Sequence, residues 1–300
     1  MGKAEFIRNI KDRGIAILEL EPMKKHTTFK IGGKADVFVS VKNEDELIFS
    51  IEAAKCQAVP FYVIGKGSDL LVSDEGVEGA VICLEKMRGI DINGNTVTVS
   101  AGQSLQSMCI EIQKKGLSGF EFAYGIPGTV GGAVYMNAGA YGGEIKDCII
   151  SARYLDKSGE IKEITAQDMC LSYRKSIFQE NGGIILSAVF EFEKDDKDRI
   201  QEKMNDYLSR RKEKQPLEFP SAGSVFKRPE GNFAGTLIEK SGLKGAKIGG
   251  AKVSEKHAGF IVNTGGATGS DVKELIKKIQ EKVLLDSGVE LKTEVIFIGR

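Results

Sequence analysis

Several common classes of protein are excluded by what this sequence lacks. Its 42 basic and 42 acidic residues cancel, so it has no overall positive field of the kind that attracts nucleic acid or anionic membranes. No stretch approaches the roughly 18 consecutive apolar residues of a membrane-spanning helix, and charges interrupt the first residues where a secretory leader would be apolar. We therefore expect a cytoplasmic protein without membrane insertion and without a nucleic-acid partner.

Cysteine and histidine are too scattered for the chemistry that they usually carry. The five cysteines form no CxxC pair, which argues against a zinc knuckle or a redox dithiol and predicts reduced, mostly buried thiols. The two histidines, His26 and His257, belong to no cluster with metal-ligand spacing, so no metal is expected. A serine hydrolase is disfavoured as well, because Ser224 does not lie in a Gly-x-Ser-x-Gly elbow.

The usual nucleotide-binding motifs are also missing. No GxxxxGK[ST] segment occurs, which argues against a P-loop NTPase. The segment Gly65-Lys-Gly-Ser-Asp69 follows a predicted strand, but Leu70 stands where the Rossmann fingerprint needs its third glycine. The backbone N–H groups of this turn could still converge on a phosphate.

Glycine is what the sequence has in excess. It accounts for 36 of the 300 residues, whereas only 6 are proline, against average shares of about 7% and 5%. The densest stretch, residues 125–143, has seven glycines in nineteen residues. Such a stretch predicts either a set of tight turns or a backbone that closely approaches a large flat or charged ligand.

Helices and strands are both predicted, without a long alternating series. A capping-box pattern begins a helix after Asn43, and Ser104 begins another that ends at Gly116. Further helices are predicted at 197–212 and from Asp271 to Gly288. Apolar and β-branched runs predict strands at Ala35–Val41, Val59–Ile64, Gly79–Leu84, Thr96–Ser100, Ile149–Asp156, Gly183–Glu193, His257–Asn263 and Glu290–Ile298. This mixture favours an α+β fold over a doubly wound parallel sheet.

Six segments carry a resemblance to a known family, because they occur together and in order. They are Thr27-Thr-Phe-Lys-Ile-Gly-Gly-Lys-Ala-Asp36, Gly65-Lys-Gly-Ser-Asp-Leu-Leu71, Gly125-Ile-Pro-Gly-Thr-Val-Gly-Gly132, Ser172-Tyr-Arg174, Pro220-Ser-Ala-Gly-Ser224 and Glu294. Over about residues 20–298 the sequence resembles the UDP-N-acetylenolpyruvoylglucosamine reductases, also called UDP-N-acetylmuramate dehydrogenases. It is similar to the short subtype, which lacks a substrate-covering tyrosine loop.

The resemblance implies a three-domain α+β flavoprotein. Its FAD-binding region would be of the vanillyl-alcohol-oxidase-like (PCMH) type, with subdomains at 1–85 and 86–200. A C-terminal α+β domain at 201–292 would bind the UDP-sugar, and a closing strand at 290–300 would return to the first subdomain.

The same resemblance implies that three loops hold FAD non-covalently. The implied cofactor contacts are Thr28, Ile31, Gly32, Gly33, Gly65, Gly67, Ser68, Asp69, Leu70, Gly125, Pro127, Gly128, Thr129, Gly131, Gly132 and Asn137. Asp69 departs from the family pattern, where we expect asparagine, and so places an anion near the expected pyrophosphate loop.

The implied reaction belongs to peptidoglycan precursor synthesis. NADPH would reduce FAD and leave, and flavin N5 would then transfer hydride to the vinyl carbon of enolpyruvyl-UDP-N-acetylglucosamine, giving UDP-N-acetylmuramate. Arg174 would stabilise the negative charge that develops, Ser224 would protonate the alpha carbon, and Glu294 would assist. Substrate contacts are expected from Tyr173, Lys227, Arg228 and His257.

Two other functions remain open at this point. A related FAD oxidase would keep the cofactor loops without the Arg174, Ser224 and Glu294 set, and His26 beside Thr27 leaves a covalently attached flavin conceivable. A non-catalytic UDP-sugar-binding protein would bind the nucleotide sugar without flavin.

Overall fold

The computed structural model describes residues 2–300. Within that range the helices α1–α8 are Gly2–Asp12, Glu44–Cys56, Leu105–Lys114, Val130–Tyr135, Phe178–Asn181, Lys197–Lys214, Ala234–Lys240 and Gly269–Ser287. The strands β1–β19 are Ala16–Pro22, Lys34–Ser40, Phe61–Ile64, Leu70–Val72, Val77–Cys83, Ile90–Asn93, Thr96–Ser100, Leu117–Ser118, Gly139–Ala140, Gly143–Glu144, Ile149–Leu155, Ile161–Thr165, Ile184–Glu191, Glu193–Lys194, Ser221–Ser224, Lys247–Ile248, Ala251–Val253, Phe260–Asn263 and Ile296–Ile298. Short 3-10 helices lie at Met23–Lys25, Glu121–Ala123 and Ile145–Asp147.

The chain divides into two compact units, each made of three segments. Unit 1 comprises residues 2–18, 37–66 and 79–211, and unit 2 comprises residues 19–36, 67–78 and 212–300. The three-domain division expected from the sequence stays a prediction.

Unit 1 is built around a five-stranded antiparallel sheet with the strand order β12-β11-β13-β7-β6. Its hydrophobic core includes Phe120, whose ring centroid lies 5.2 Å from that of Phe122 and 5.7 Å from that of Phe190. A four-stranded sheet has the order β1-β2-β5-β3, in which β3 pairs with β5 in parallel. Because β3 ends at Ile64, it leads directly into the glycine turn that begins at Gly65.

Unit 2 combines an antiparallel sheet with α7 and α8. The strand order is β15-β18-β17-β16, and β15 carries Ser224 at its end. A separate parallel pair joins β19 to β4, with Ile296 opposite Leu70. The core of this unit includes Phe29 and Val225, both fully buried.

The helix boundaries with local capping signals are confirmed. The Asn43 side chain accepts the Glu46 N–H at 2.8 Å, and Ser104 Oγ accepts the Ser107 N–H at 3.1 Å. Gly116 follows the second of these helices in the left-handed region, with φ of 66°. Such side chains satisfy backbone donors that a helix cannot pair internally, which is why they mark helix starts.

The predicted start of α8 is wrong by two residues. The helix begins at Gly269 after the N-cap Thr268, and Asp271 is the third residue of its first turn. Thr268 Oγ1 accepts the Asp271 N–H at 3.0 Å, while the Asp271 carboxylate accepts the Thr268 N–H at 3.0 Å. The reciprocal pair is a capping box, in which Asp271 is the partner of the cap and not the cap itself.

Two predicted strands are too long. The strand expected at His257–Asn263 begins only at Phe260, because the preceding turn is fixed by Ser254 Oγ, which accepts the N–H groups of Lys256 and His257 at 3.1 and 3.2 Å. The strand expected at Glu290–Ile298 is confined to Ile296–Ile298.

Candidate functional site

In unit 2 the loop at residues 27–33 lies against the turn at residues 67–70. The Thr28 N–H donates to Gly67 O at 3.2 Å, and the Thr28 hydroxyl donates to Ser221 O at 2.7 Å. Gly67 has φ of 60°, and a Cβ there would lie 2.2 Å from His26 O, so only glycine fits. Thr28 thus joins the predicted cofactor turn to the first residue of β15.

The neighbouring glycines of the same loop also serve close packing. Ile31 is buried in the core of unit 2. A Cβ at Gly32 would lie 2.7 Å from Val72 Cβ, and one at Gly33 would lie 2.1 Å from Asp74 O. These three predicted cofactor residues hold the loop against β4 and the turn after it.

The turn at 67–68 has free donors that fit a diphosphate. Among residues 2–300, none accepts a hydrogen bond from the backbone amide of Gly67 or of Ser68, although Gly67 is buried. Buried backbone donors are nearly always paired, and successive N–H groups in a turn form anion-binding concavities. The turn therefore offers two backbone donors to a phosphate or diphosphate group. The next two predicted contacts, Asp69 and Leu70, are held by the backbone: Asp69 O accepts the Ile296 N–H at 2.9 Å, and Leu70 lies in β4.

In unit 1 Gly65 approaches Thr129 too closely for any side chain. A Cβ at Gly65 would lie 2.2 Å from Thr129 Oγ1. Thr129 is the N-cap of α4, and the N–H groups of Val130 and Gly131 donate to Gln103 O and Ala101 O at 2.9 and 2.8 Å. The first amides of this short helix are thus bound within the protein, and the predicted contacts Thr129 and Gly131 position the loop by packing.

The rest of the glycine-rich stretch differs in exposure from residue to residue. Pro127 and Gly132 are exposed, whereas Gly128 is half-buried and its carbonyl accepts the Leu105 N–H at 3.2 Å. A Cβ at Gly125 would lie 2.9 Å from Arg211 Cδ, so this glycine makes room for a cation.

Asn137 is buried, and both of its side-chain donors are used inside the protein. Its amide nitrogen donates to Glu144 Oε2 and to Ser172 O, each at 2.9 Å. Its side-chain oxygen accepts the Lys146 N–H at 3.0 Å. The side chain therefore joins the β9–β10 hairpin to the turn that carries Arg174, a positioning role that the sequence did not reveal.

Arg174 lies at the tip of a strained two-residue turn. Ser172 and Lys175 exchange backbone hydrogen bonds at 3.1 and 3.0 Å, and Arg174 between them has φ of 55°. This conformation costs a non-glycine residue about 1–3 kcal/mol and often marks a functional site. The guanidinium donates to Gly139 O at 3.3 Å and lies over the Tyr173 ring at 5.1 Å, so its position is well defined.

Ser224 and Glu294 are brought together by the backbone of unit 2. Ser224 ends β15 opposite Phe260, after a register shift at Gly223, whose φ is 74°. The Glu294 N–H donates to Val225 O, the carbonyl one residue beyond Ser224, at 2.7 Å. Glu294 lies in an irregular segment and not in the regular strand that the sequence predicts.

His257 also lies beside Ser224. A Cβ built on Gly259 would lie 3.1 Å from Ser224 Oγ and 3.0 Å from His257 Cε1, so the two side chains flank this glycine. His257 Nδ1 accepts the Gly259 N–H at 3.2 Å, which assigns the proton of the neutral ring to Nε2. Burial lowers the pKa of His257, and Lys244 lowers it further. A neutral ring with one N–H donor is the form expected near pH 7.

The two predicted cations of this segment follow Ser224. The Lys227 N–H donates to Lys292 O at 2.9 Å, which continues the pairing with the Glu294 segment. The Arg228 guanidinium lies 4.8 Å from the centroid of the Phe233 ring, and that ring is 61% exposed. Unit 2 therefore gathers Ser224, two cations and Glu294 along one short pair of segments.

Arg211 is a candidate that the sequence did not reveal. It belongs to the basic run at 210–214, a pattern typical of a solvated helix face. In the structure it is half-buried beside Gly125.

Residues 2–300 contain neither a candidate metal site nor a candidate membrane span. No group of three histidine, cysteine or acidic residues there could hold a metal ion. No helix in that range is long and apolar enough to cross a membrane.

The chain is similar to known proteins along nearly its whole length. A family model described as UDP-N-acetylenolpyruvoylglucosamine reductase, C-terminal domain, matches residues 215–298, and one described as FAD binding domain matches residues 35–165. The UDP-N-acetylenolpyruvoylglucosamine reductase of Caldanaerobacter subterraneus subsp. tengcongensis is 50% identical over 279 residues, which cover 93% of this chain and 92% of the relative. The enzyme of the same name from Lachnoclostridium phytofermentans is 50% identical over 284 residues, with the same coverage.

A solved structure of a reductase of the same description also resembles this chain. The crystal structure of the Thermus caldophilus UDP-N-acetylenolpyruvylglucosamine reductase matches with a TM-score of 0.81 and 34% identity, covering 95% of this chain and 98% of that one. A structure of alkyldihydroxyacetonephosphate synthase matches with a TM-score of 0.50 and 18% identity, covering 64% of this chain and 40% of that one. The second likeness concerns the fold alone.

Proposed function

The chain belongs to the UDP-N-acetylenolpyruvoylglucosamine reductase family, and from this membership we propose how its own residues carry out the reaction. The protein is an FAD-dependent oxidoreductase of peptidoglycan precursor synthesis, which uses NADPH to reduce enolpyruvyl-UDP-N-acetylglucosamine to UDP-N-acetylmuramate. The predicted α+β flavoprotein fold with a C-terminal substrate domain is confirmed. The non-catalytic alternative is thereby wrong, and no observation favours an oxidase.

When bound, FAD would supply the hydride chemistry that links oxidation of NADPH to reduction of the enolpyruvyl group. The free amides of Gly67 and Ser68 would bind the FAD diphosphate, while Thr28 holds their turn against β15. Gly65, Thr129 and Gly131 contribute by close packing of their loops in unit 1.

Attachment of the flavin is non-covalent. The nearest histidine to the cofactor loops in sequence, His26, has its Nε2 3.0 Å from Glu21 Oε1, an interaction that a flavin bond at that nitrogen would remove. Acid denaturation should release all of the yellow colour into the supernatant. Flavin that remained with the precipitated protein would contradict this assignment.

Arg174, Ser224 and Glu294 carry the chemistry after hydride addition. The carbon next to the carboxylate then bears negative charge, which the Arg174 guanidinium stabilises by a charge-assisted contact. Ser224 donates its hydroxyl proton to that carbon, and Glu294 supports this transfer from the adjacent segment. The observation that carries this assignment is the hydrogen bond from Glu294 to Val225, which fixes the carboxylate-bearing residue next to the serine.

Substrate binding is assigned to the groups around this serine and around Arg174. His257 offers its Nε2 proton, Lys227 and Arg228 offer positive charge to the diphosphate, and Tyr173 supports the Arg174 guanidinium. Because both substrates are cytoplasmic metabolites, we place the enzyme in the cytoplasm.

The two half-reactions test the serine assignment separately. Under anaerobic conditions NADPH should bleach the flavin bands, and the enolpyruvyl substrate should restore them. For Ser224→Ala we expect normal reduction by NADPH and reoxidation slowed by about 10²–10⁴-fold, because only the second half-reaction needs the proton. Stopped-flow absorbance measures both rates.

Ser221→Ala is the matched control, because Ser221 lies in the same strand and only its backbone carbonyl takes part in the contact with Thr28. Equal reoxidation rates in the two variants would overturn the role of Ser224. A wild-type protein that is not reoxidised by this substrate would overturn the proposed chemistry as a whole.

A further inference from the structure

Arg211 is a half-buried cation without a counterion. Among residues 2–300, none accepts a hydrogen bond from its guanidinium and none forms an ion pair with it. Removing a charge from water without a partner is costly, and proteins rarely leave such a group unpaired. Its neighbour Arg210 shows the contrast, because it is bonded to both carboxylate oxygens of Asp206, at 3.0 and 2.8 Å.

Arg211 lies beside Gly125 and on the same face of helix α6 as Tyr207, which precedes it by four residues. A Cβ at Gly125 would lie 2.9 Å from Arg211 Cδ, so the absence of a side chain there admits the arginine. Tyr141 stacks on Tyr207 with 4.7 Å between ring centroids and 8° between ring planes. Burial raises the pKa of Tyr141, which keeps its phenol protonated and able to donate.

Tyr141 is held there at a conformational cost. It has φ of 54° and Gly142 has φ of 89°, so both residues of the β9–β10 hairpin turn are in the left-handed region. Asparagine or glycine is preferred at the first of these positions, and a tyrosine is strained. The strained backbone at Tyr141 is thus a second feature, separate from Arg211, that points to a binding role.

The same hairpin contacts Arg174. Gly139, two residues before Tyr141, accepts a hydrogen bond from Arg174 Nη2 at 3.3 Å. One short hairpin therefore positions both the arginine assigned to the reaction and the tyrosine beside Arg211.

We propose that Arg211 and Tyr141 form a binding site for an oxyanion carried by one of the two substrates. A planar guanidinium binds phosphate or carboxylate oxygens in pairs, and a phenol adds one more donor. The oxyanion is either the 2′-phosphate of NADPH or an acidic group of the UDP-sugar. This inference rests on the proposed function, because it takes both substrates from it.

The test compares Arg211→Met with Arg210→Met. We expect the first variant to weaken binding of one substrate by about 10- to 100-fold, as the loss of a charged hydrogen-bonding group does. Flavin reduction by NADPH and by NADH, followed at several concentrations, gives one arm. Reoxidation by the enolpyruvyl substrate and direct titration with UDP give the other.

The measurements with the nicotinamide cofactors and those with the UDP compounds distinguish the two possible sources of the oxyanion. Weaker binding of NADPH with unchanged binding of NADH assigns the site to the 2′-phosphate, whereas weaker binding of the UDP-sugar assigns it to that substrate, and parallel weakening of UDP identifies its diphosphate. Unchanged constants for both substrates in Arg211→Met, relative to Arg210→Met, would overturn the proposal while leaving the reductase chemistry intact.

Two further variants keep the test decisive if Arg211→Met does not fold. Arg211→Lys retains the charge without the planar fork, and Tyr141→Phe removes only the hydroxyl. We expect each to weaken the same substrate by a smaller factor, and wild-type constants in both would also overturn the proposal.

Discussion

At Gly65 the packing of unit 1 leaves no room for even a methyl group. The built Cβ lies 2.2 Å from Thr129 Oγ1 and 3.2 Å from Thr129 Cβ. We expect Gly65→Ala to lower the free energy of unfolding of the apoprotein by about 1–3 kcal/mol, because the loop and the threonine must move apart. Thermal unfolding of the apoprotein measures this loss without interference from bound flavin.

Gly132→Ala is the matched control for that prediction. Its Cβ would lie 3.6 Å from the same Thr129 oxygen, an ordinary contact, and Gly132 lies inside α4. We expect a neutral effect or a gain of up to about 1 kcal/mol from the better helix former. The double variant Gly65→Ala with Thr129→Ala should recover part of the loss, and a purely additive double variant would contradict the steric explanation.

His257 should make stability depend on pH in a predictable direction. Burial lowers its pKa below the usual 6.5, so the unfolded chain takes up a proton before the folded chain does as the pH falls. The stability that comes from the neutral ring is therefore complete above about pH 6.5 and decreases as the pH falls towards the folded-state pKa.

We expect His257→Gln to lose less stability than the wild type between pH 7.5 and 5.5. Unfolding temperatures of both proteins across this range measure the difference, and the comparison removes the contribution of His26. Parallel curves for the two proteins would show that His257 is not the group responsible.

At the scale of elements, the capping box of α8 is the clearest local source of stability. Thr268 and Asp271 exchange hydrogen bonds at 3.0 Å, and Asp271 also accepts the Gly250 N–H at 3.0 Å. We expect Thr268→Ala to lower the free energy of unfolding by about 0.5–2 kcal/mol, with Thr268→Ser close to wild type. Urea unfolding measures both, and equal losses would mean that the hydroxyl does not act as the cap.

Elements were predictable where their signals are local. The helix after Asn43 begins where its side chain predicts, since cap and backbone partner are three residues apart. The turn before Phe260 and the irregular segment around Glu294 were not predictable, because side-chain bonds and non-local pairing decide them. Helix α4 was not predicted, because two of its six residues are glycines, which disfavour helix formation.

The same distinction applies to the candidate site. The sequence identified the glycine loops, but at Gly65 and Gly67 the close neighbours are protein atoms. Arg211 was not predictable, because nothing in a basic run distinguishes the paired Arg210 from the unpaired residue that follows it.

For the whole molecule, thiol accessibility gives a simple test of the packing. Cys56 and Cys170 are exposed, whereas the other three cysteines are buried. Burial raises the pKa of Cys83 to about 11, which suppresses its reactive thiolate. We expect two thiols to react rapidly with a disulfide reagent in the native protein and all five after denaturation. Three or more fast thiols would contradict the described core.

The pairing of β19 with β4 affects how the protein can fold during synthesis. Residues 296–298 leave the ribosome long after residues 70–72, yet they supply the parallel partner of that strand. Ser73 and Arg300 add backbone hydrogen bonds to Ile298 and Gly76, at 2.9 and 3.0 Å. Strand β4 therefore remains without its parallel partner through most of translation, and this pairing can form only when the chain is almost complete.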